Sequence, residues 1–505
     1  MPEHATATDA TMPGRRREPA RPDGSRHPLL AAALLALLAW APLPLASNRP
    51  WAWSLLTVLA ALLLLGWAIG EARRPRVRIA RLPALGLALI GAAMVWAVLQ
   101  QVDWMPAAWQ HPLWQAAVDY GLEVRPSIGI DPFGGREALL RFAGYAAVFW
   151  VAFAIGQDAP TARRLVHGVI VIVTAYAAYG VLMRLTGTEA ILWLDKQAYV
   201  GSVTSTFVNR NNFATYANLG VVSAMALVLG KLLRETTAGW RRQVYDQLNE
   251  LFSKRVPLLL ATSIIATASL LSLSRGGLLG LAAGVLVMIG TVLMLGRSRI
   301  GLALVALAVL AAVGGVLVYV SAEGTLIRLG DISSDVTLDG QGRFAAWRVC
   351  LAMIAERPWL GHGYGAFEAA FMARSPEQIT TIFDKAHNTF LEHMVVLGLP
   401  AATLLYAGFA CLIGACVQGL RERRRNREFT LLAISASVVV GAHALVDFSL
   451  QIPAVAVTYA TLLAVGVAQS MRSEQPAQAS VARTGGLPRL AVRAAERQLS
   501  GAAAP

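Results

Sequence analysis

The chain has 505 residues, 56% of them hydrophobic and only 15% charged. That balance excludes an ordinary soluble domain and points to an integral membrane protein. The net charge of +14 raises a nucleic-acid role, which the placement of the charges decides below. Cys350, Cys411 and Cys416 are the only cysteines, the last two in one apolar run on different helix faces. They make neither a disulfide framework nor a zinc site.

Residues 1–27 are rich in Arg, Pro, Ala and Thr without apolar periodicity and read as a disordered basic tail, as does 472–505. The first apolar run, Leu29 to Ala46, follows Arg15-Arg16-Arg17 and ends in Pro44-Leu45-Ala46. A retained first helix is the expectation, with a cleaved signal peptide as the alternative. A helix across a bilayer needs roughly 20 apolar residues. Such runs recur at 29–46, 51–70, 82–100, 138–156, 165–185, 206–230, 257–273, 276–295, 300–320, 389–418, 429–447 and 453–471. The pattern predicts an all-α membrane protein with about 12 transmembrane helices. Helices one to nine occupy 28–320, one large polar loop occupies 321–388, and helices ten to twelve occupy 389–471.

If the segments alternate from a cytoplasmic start, the inner loops hold 20 Lys and Arg in 55 residues and the outer loops 11 in 135. This is the positive-inside bias, and it assigns both tails to the cytoplasm. It also accounts for most of the net charge, which removes the main support for nucleic acid. Under this topology Arg210, Arg275, Arg343, Arg348, His387 and Asp447 all fall at the outer face.

In the outer loop 101–137, Trp104, Trp109 and Trp114 read as an aromatic belt at headgroup level. No internal repeat is evident, which disfavours a transporter built of matched halves. Asn209-Arg210-Asn211-Asn212 opens the sixth helix, and an arginine among amides presents a fork of donors suited to phosphate. A lone arginine snorkelling to headgroups is the bland alternative. Ser274-Arg275-Gly276-Gly277 breaks the run 257–295, either as a tight turn or inside one long helix. A helix N-terminus with bare glycine N–H groups beside a guanidinium would hold an anion.

In the large loop, Phe344, Trp347, Leu351 and Ile354 are spaced as an amphipathic helix ending before Pro358. Arg343 sits in its first turn and Arg348 one turn on. Gly361-His362-Gly363-Tyr364-Gly365 reads as a tight turn more than a phosphate loop. Asp331, Asp335 and Asp339 read as solvated acids and match no metal loop. His387-Asn388 stands where the loop re-enters the membrane, where a neutral imidazole could take a proton from a hydroxyl or simply cap the helix. His443 and Asp447, one turn apart, read as a structural polar pair or a support for the site.

The order of these motifs, Ser274-Arg275-Gly276-Gly277, then Gly342-Arg343 with Trp347, then Pro358 and Gly361 to Phe367, then His387-Asn388 with Leu391, resembles the O-antigen ligase and polymerase superfamily. Asn209-Arg210-Asn211 and Asp447 to Gln451 resemble its exopolysaccharide-associated members. The resemblance covers roughly 120–470 and implies a periplasmic large loop and transfer of a glycan from undecaprenyl pyrophosphate. The acceptor would be a lipid A core sugar for a ligase or another lipid-linked repeat for a polymerase. It implies that Arg210, Arg275, Arg343 and Arg348 hold the pyrophosphate and that His387, with Arg275, is catalytic. Asn209, Asn211, Asn388 and Asp447 would support them. Anomeric inversion, no metal and no cofactor are expected, with the donor, the acceptor and the bilayer as partners. A flippase or transporter, which would line both halves of the membrane with polar groups, is the rival from another class. A membrane scaffold without chemistry is more remote.

Overall fold

The computed structural model describes residues 27–72, 77–229, 255–295, 332–374, 383–423 and 425–471, with backbone only over 332–342. The expected ninth span at 300–320, Asp331, the side chains of Asp335 and Asp339, and both tails beyond His27 and Met471 lie outside the described residues.

Helices dominate. The long ones are α1 (Pro28–Trp40), α2 (Pro50–Ala72), α3 (Arg81–Leu99), α5 (Pro132–Gly156), α6 (Ala159–Leu185), α7 (Arg210–Leu229), α8 (Val256–Leu271) and α9 (Arg275–Leu295). Then follow α10 (Ile332–Glu356), α12 (Thr389–Leu397), α13 (Leu399–Glu422), α14 (Arg427–His443) and α15 (Pro453–Ser470). The short α4 (Leu113–Asp119) and α11 (Phe367–Met372) belong to loops. Among the described helices, eight are long and apolar enough to cross a bilayer, and α1 and α8 are shorter apolar ones. The chain is a multi-pass, mainly helical membrane protein. One two-residue antiparallel pair, β1 (Ala190–Ile191) with β2 (Leu194–Asp195), departs from the all-helical expectation.

Starts are written locally. Proline occupies the first turn of α1, α5, α6, α8, α13 and α15, where its missing N–H is not needed. Asp131 and Asp158 cap α5 and α6 by accepting from Gly134 N at 2.9 Å and Thr161 N at 3.2 Å. Helices α7 and α15 are buried along nearly their whole length and form the middle of the bundle. Helices α2 and α3 lie at the periphery and turn Leu55, Leu62, Leu65, Leu85 and Val95 outward, as lipid-facing helices do. Without a hydrophobic drive between helices in lipid, contact depends on close approach at small residues. Thus α3 meets α13 where a Cβ at Gly408 would stand 2.7 Å from Gly86 O. Helix α14 lies against α7, α9, α13 and α15, and α8 against α6 and α7.

The run 257–295, open between a tight turn and one interrupted helix, is two helices joined by the turn Ser272–Ser274. One expected span is resolved differently. The run 389–418 is divided into α12 and α13 at Gly398, which takes φ +78° directly ahead of Leu399-Pro400. Gly398 fits because a Cβ there would stand 2.7 Å from Trp359 O.

The face of α10 also differs from the spacing. It buries Ala346, Cys350 and Met353, while Phe344 and Leu351 of the expected stripe are 63% and 57% exposed. Ala346, Cys350 and Met353 form the buried face of α10, which lies against α12, while Trp347 and Ile354 are half-buried at its edge. Of the three tryptophans expected as a belt, Trp104 and Trp109 are exposed, but Trp114 turns inward and donates from Nε1 to Gly129 O at 3.1 Å.

Candidate functional site

The loops 100–131, 186–209, 272–274, 383–388 and 444–452 collect at one end of the bundle, because successive helices run in opposite directions. The centre of that end is the turn from Ala444 to Gln451, between α14 and α15. Four separate parts of the chain are fastened to it.

From α7, Asn211 Nδ2 donates to Asp447 Oδ2 at 2.8 Å. Asn212 Oδ1 accepts from Ser449 Oγ at 3.0 Å. Arg210 stands one residue before, with Nη1 3.5 Å from Ser202 Oγ and its guanidinium 5.3 Å over the Tyr199 ring. The β1–β2 hairpin firms that wall, since Lys196 Nζ donates to Glu189 Oε2 at 3.1 Å and to Ser202 O at 2.8 Å.

From α9, Ser274 Oγ donates to Asn211 Oδ1 at 2.8 Å and accepts from Gly277 N at 3.1 Å, so it caps α9 and joins it to α7. The glycine pair is a packing requirement. A Cβ at Gly277 would stand 2.7 Å from the Ala214 methyl, and one at Gly276 would stand 3.0 Å from His443 Nε2 and from a Val446 methyl. The N–H of Gly277 is therefore not bare, as the spacing suggests, but taken by Ser274. Arg275, the first residue of α9, is exposed.

From α10, Arg343 Nη1 donates to Val446 O at 3.3 Å, and Trp347 Nε1 donates to Ala386 O at 2.9 Å. Arg348 is exposed on another face, and no described hydrogen bond or ion pair joins it to the turn. It stands apart from the other arginines.

From the loop before α12, the His387 ring packs edge-on against Phe448, with centroids 5.0 Å apart, and faces Phe383 at 6.4 Å. His387 holds φ +48°, a conformation that costs a non-glycine residue about 1–3 kcal/mol unless its surroundings impose it. They do so on both sides. Ala386 N donates to Glu392 Oε2 at 2.9 Å. Asn388 Oδ1 caps α12 by accepting from Phe390 N and Leu391 N, each at 3.1 Å. Glu392, buried, also accepts from Gln451 Nε2 at 2.8 Å, which returns the clamp to the turn. Thr389 completes it, with Oγ1 donating to Asp447 O at 3.0 Å and N to Ala444 O at 2.9 Å.

Asp447 is thus the knot. Besides Asn211, it accepts from Phe448 N at 2.7 Å and from Ser449 Oγ at 3.1 Å. Asn209 Oδ1 accepts from Asn211 N at 2.8 Å and shapes the start of α7. The structure brings Arg210, Asn209, Asn211, Arg275, Arg343, His387, Asn388 and Asp447 to one place. The sequence pattern marked Ser449 and Gln451 only as part of the run Asp447 to Gln451, and gave no role to Thr389 or Glu392. Their only sequence signal is a cluster of polar side chains at the edges of apolar runs.

The glycine loop 361–365 lies beside this site and serves structure. Gly361, Gly363 and Gly365 have φ +70°, +113° and +82°. Their backbones pass so close to Val396, Gly129 and Gly134 that any Cβ would fall within 2.5–2.6 Å of those residues. Inside the loop, His362 Nε2 lies 2.9 Å from Met353 O and its Nδ1 lies 3.0 Å from His111 Nε2. A carbonyl only accepts, so His362 carries its proton on Nε2. His111 then donates from Nε2, and its Nδ1 accepts from Leu113 N at 3.3 Å. Both imidazoles are neutral. Burial pushes His111 down to about 3, with Arg357 and His362 assisting, and burial likewise lowers His362. Gln100 ties the same loops, donating to Leu360 O at 2.7 Å and Val396 O at 2.9 Å and accepting from Tyr364 N at 2.9 Å.

Taken together, the site offers guanidinium groups at helix ends, a clamped imidazole and a buried carboxylate that aligns them. Such an array can neutralise a polyanion and position a hydroxyl. Comparison with known proteins bears on its identity. No curated protein matches the chain. A family model described as O-Antigen ligase matches residues 260–406, under a third of the chain. The match contains Arg275, Arg343, His387 and Asn388, whereas Arg210, Asn211, His443 and Asp447 join them from outside it. Over that stretch the chain is similar to the O-antigen ligase domain, which supports the O-antigen ligase superfamily and an enzyme of the glycosyltransferase type.

Proposed function

We propose that the protein transfers a glycan from undecaprenyl pyrophosphate to an acceptor hydroxyl at the periplasmic face of the inner membrane, in lipopolysaccharide or exopolysaccharide synthesis. The observation that carries this reading is the gathering of Arg343 and His387 on the turn 444–451, together with Asn211 and Ser274, the residues beside Arg210 and Arg275. That face has no nucleotide to draw on, so the activated bond must arrive with the donor, as a glycosyl diphosphate does. The arginines neutralise the charge that grows on the departing diphosphate, which is electrostatic catalysis by groups already in place. His387 holds the acceptor hydroxyl and takes its proton as the oxygen attacks the anomeric carbon from the side opposite the diphosphate, with inversion. The arginines can do this work without a metal.

The test is transfer by the full chain in proteoliposomes supplied with undecaprenyl-pyrophosphate glycan and candidate acceptors. Arg275→Ala and His387→Ala are expected to insert normally and to lose at least about 100-fold in rate. Full transfer by both variants overturns the reading. The product separates the finer alternatives: a capped lipid A core means ligase, a lengthened lipid-linked chain means polymerase.

A further inference from the structure

His443 ends α14 and is 2% exposed. Its Nδ1 faces two hydroxyls, Thr215 Oγ1 at hydrogen-bond contact and Ser449 Oγ at 3.3 Å. Each hydroxyl has another acceptor for its own hydrogen. Thr215 donates to Asn211 O at 3.2 Å, and Ser449 donates toward Asn212 Oδ1 at 3.0 Å and Asp447 Oδ1 at 3.1 Å. The network therefore places the imidazole proton on Nδ1. Nε2 is left bare.

That bare nitrogen points at the first turn of α9. It lies 3.0 Å from where a Cβ on Gly276 would be, so glycine alone keeps the approach to it open. No described hydrogen bond uses it. The same turn presents the positive end of a 21-residue helix and the exposed Arg275, both of which attract anions. Protonation at Nε2 disturbs nothing, because Nδ1 keeps its hydrogen and both hydroxyl partners.

We propose, resting on the functional reading above, that His443 is a second proton-handling group of the site, on the side of the leaving diphosphate. Its Nε2 takes up a proton as the anionic donor binds and hydrogen-bonds a phosphate oxygen. When the acceptor oxygen forms its bond to the anomeric carbon, the bond from that carbon to the diphosphate oxygen breaks and its electron pair stays on that oxygen. The Nε2 proton passes to the departing phosphate, and the acceptor proton passes to His387. The proton count of the pair closes when His387 releases its proton and His443 takes another.

The charged groups acting on His443 are Asp447 from the following turn and Arg343 from α10, while Arg275 opens the α9 turn that packs on it and Arg210 begins α7, which carries Thr215. Helices α13 and α15 bring none to this end. The two imidazoles of the site must be separated by experiment.

A short-chain glycosyl citronellyl diphosphate serves as the probe, since as a diester it has no oxygen that titrates near neutral pH. Calorimetry of the full chain in two buffers of different ionisation enthalpy reads proton uptake on binding. Wild type is expected to take up a proton and to bind about tenfold more weakly per pH unit once its imidazole is neutral. His387→Asn is expected to keep that dependence. His443→Asn retains an amide N–H for Thr215 and is expected to bind the probe with no proton uptake and a flat pH dependence. Binding without uptake in wild type overturns the assignment even if His443→Asn does not fold. Uptake that persists in His443→Asn and vanishes in His387→Asn overturns it too. Failure of wild type to bind the probe overturns the functional reading itself.

Discussion

At the scale of single residues the most consequential side chain is Asp447. Its carboxylate accepts from Asn211, Ser449 and its neighbour's N–H inside a buried turn, and its carbonyl holds Thr389. An amide in its place would turn two hydrogens toward donors. A buried donor left facing donors forfeits about 1–3 kcal/mol. Asp447→Asn is therefore expected to lower the melting temperature and to slow transfer, and a melt beside a transfer assay checks both. Arg348→Ala is the contrast. The residue is exposed and apart from the turn, so transfer is expected to stay within about twofold of wild type. In sequence the two looked comparable, Arg348 as a member of the arginine set and Asp447 as a mere support. Helical spacing gives the side of a helix, but only contacts across 236 residues, such as Asn211 to Asp447, say which side meets the site.

At the scale of elements, the N-terminus of α9 depends on its two glycines for different neighbours. Gly277→Ala drives a methyl against Ala214 on α7. Overpacking of this kind costs about 1–3 kcal/mol, and a lowered melting temperature with residual transfer is expected. Gly398→Ala meets two obstacles, a positive φ and the Trp359 carbonyl, and is expected to reduce the amount of inserted protein in membranes more than Gly277→Ala does. The existence and order of most helices were legible from apolar runs, prolines and caps. The division of the run 389–418 was not, because the glycine that breaks it looks like any other in an apolar segment. The face of α10 was misread for a related reason. Spacing favours the bulky stripe, whereas α10 packs through Ala346, Cys350 and Met353.

At the scale of the molecule, the end that carries the site is braced by the neutral pair His111–His362, which links the loop 100–131 to the glycine loop. The pair's ordinary solution value is near 6.5, and burial holds it lower in the fold, His111 at about 3. The unfolded chain then binds more protons below about pH 6.5, so stability is full above that value and is lost as pH falls toward 3. Between pH 7 and 5.5 the loss from His111 should be roughly 1 kcal/mol, and His362 adds to it in the same direction. Melting curves of the purified protein across that range check it, and His111→Asn with His362→Asn should flatten the slope. A melting temperature that does not change with pH in wild type would contradict the pairing. Neither histidine stood out in the sequence, since each is a lone imidazole until the fold sets them 3.0 Å apart.

The turn at 444–451 also has a meaning in time. Ribosome and insertion machinery deliver Arg210, Arg275, Arg343 and His387 before they deliver Asp447 and Gln451, the groups that align them. A nascent chain halted short of Asp447 already holds Arg210, Arg275 and Arg343 yet lacks the fastening that gathers them. Competence arises late in synthesis and in one step, so an unfinished chain is kept from spending lipid-linked glycan.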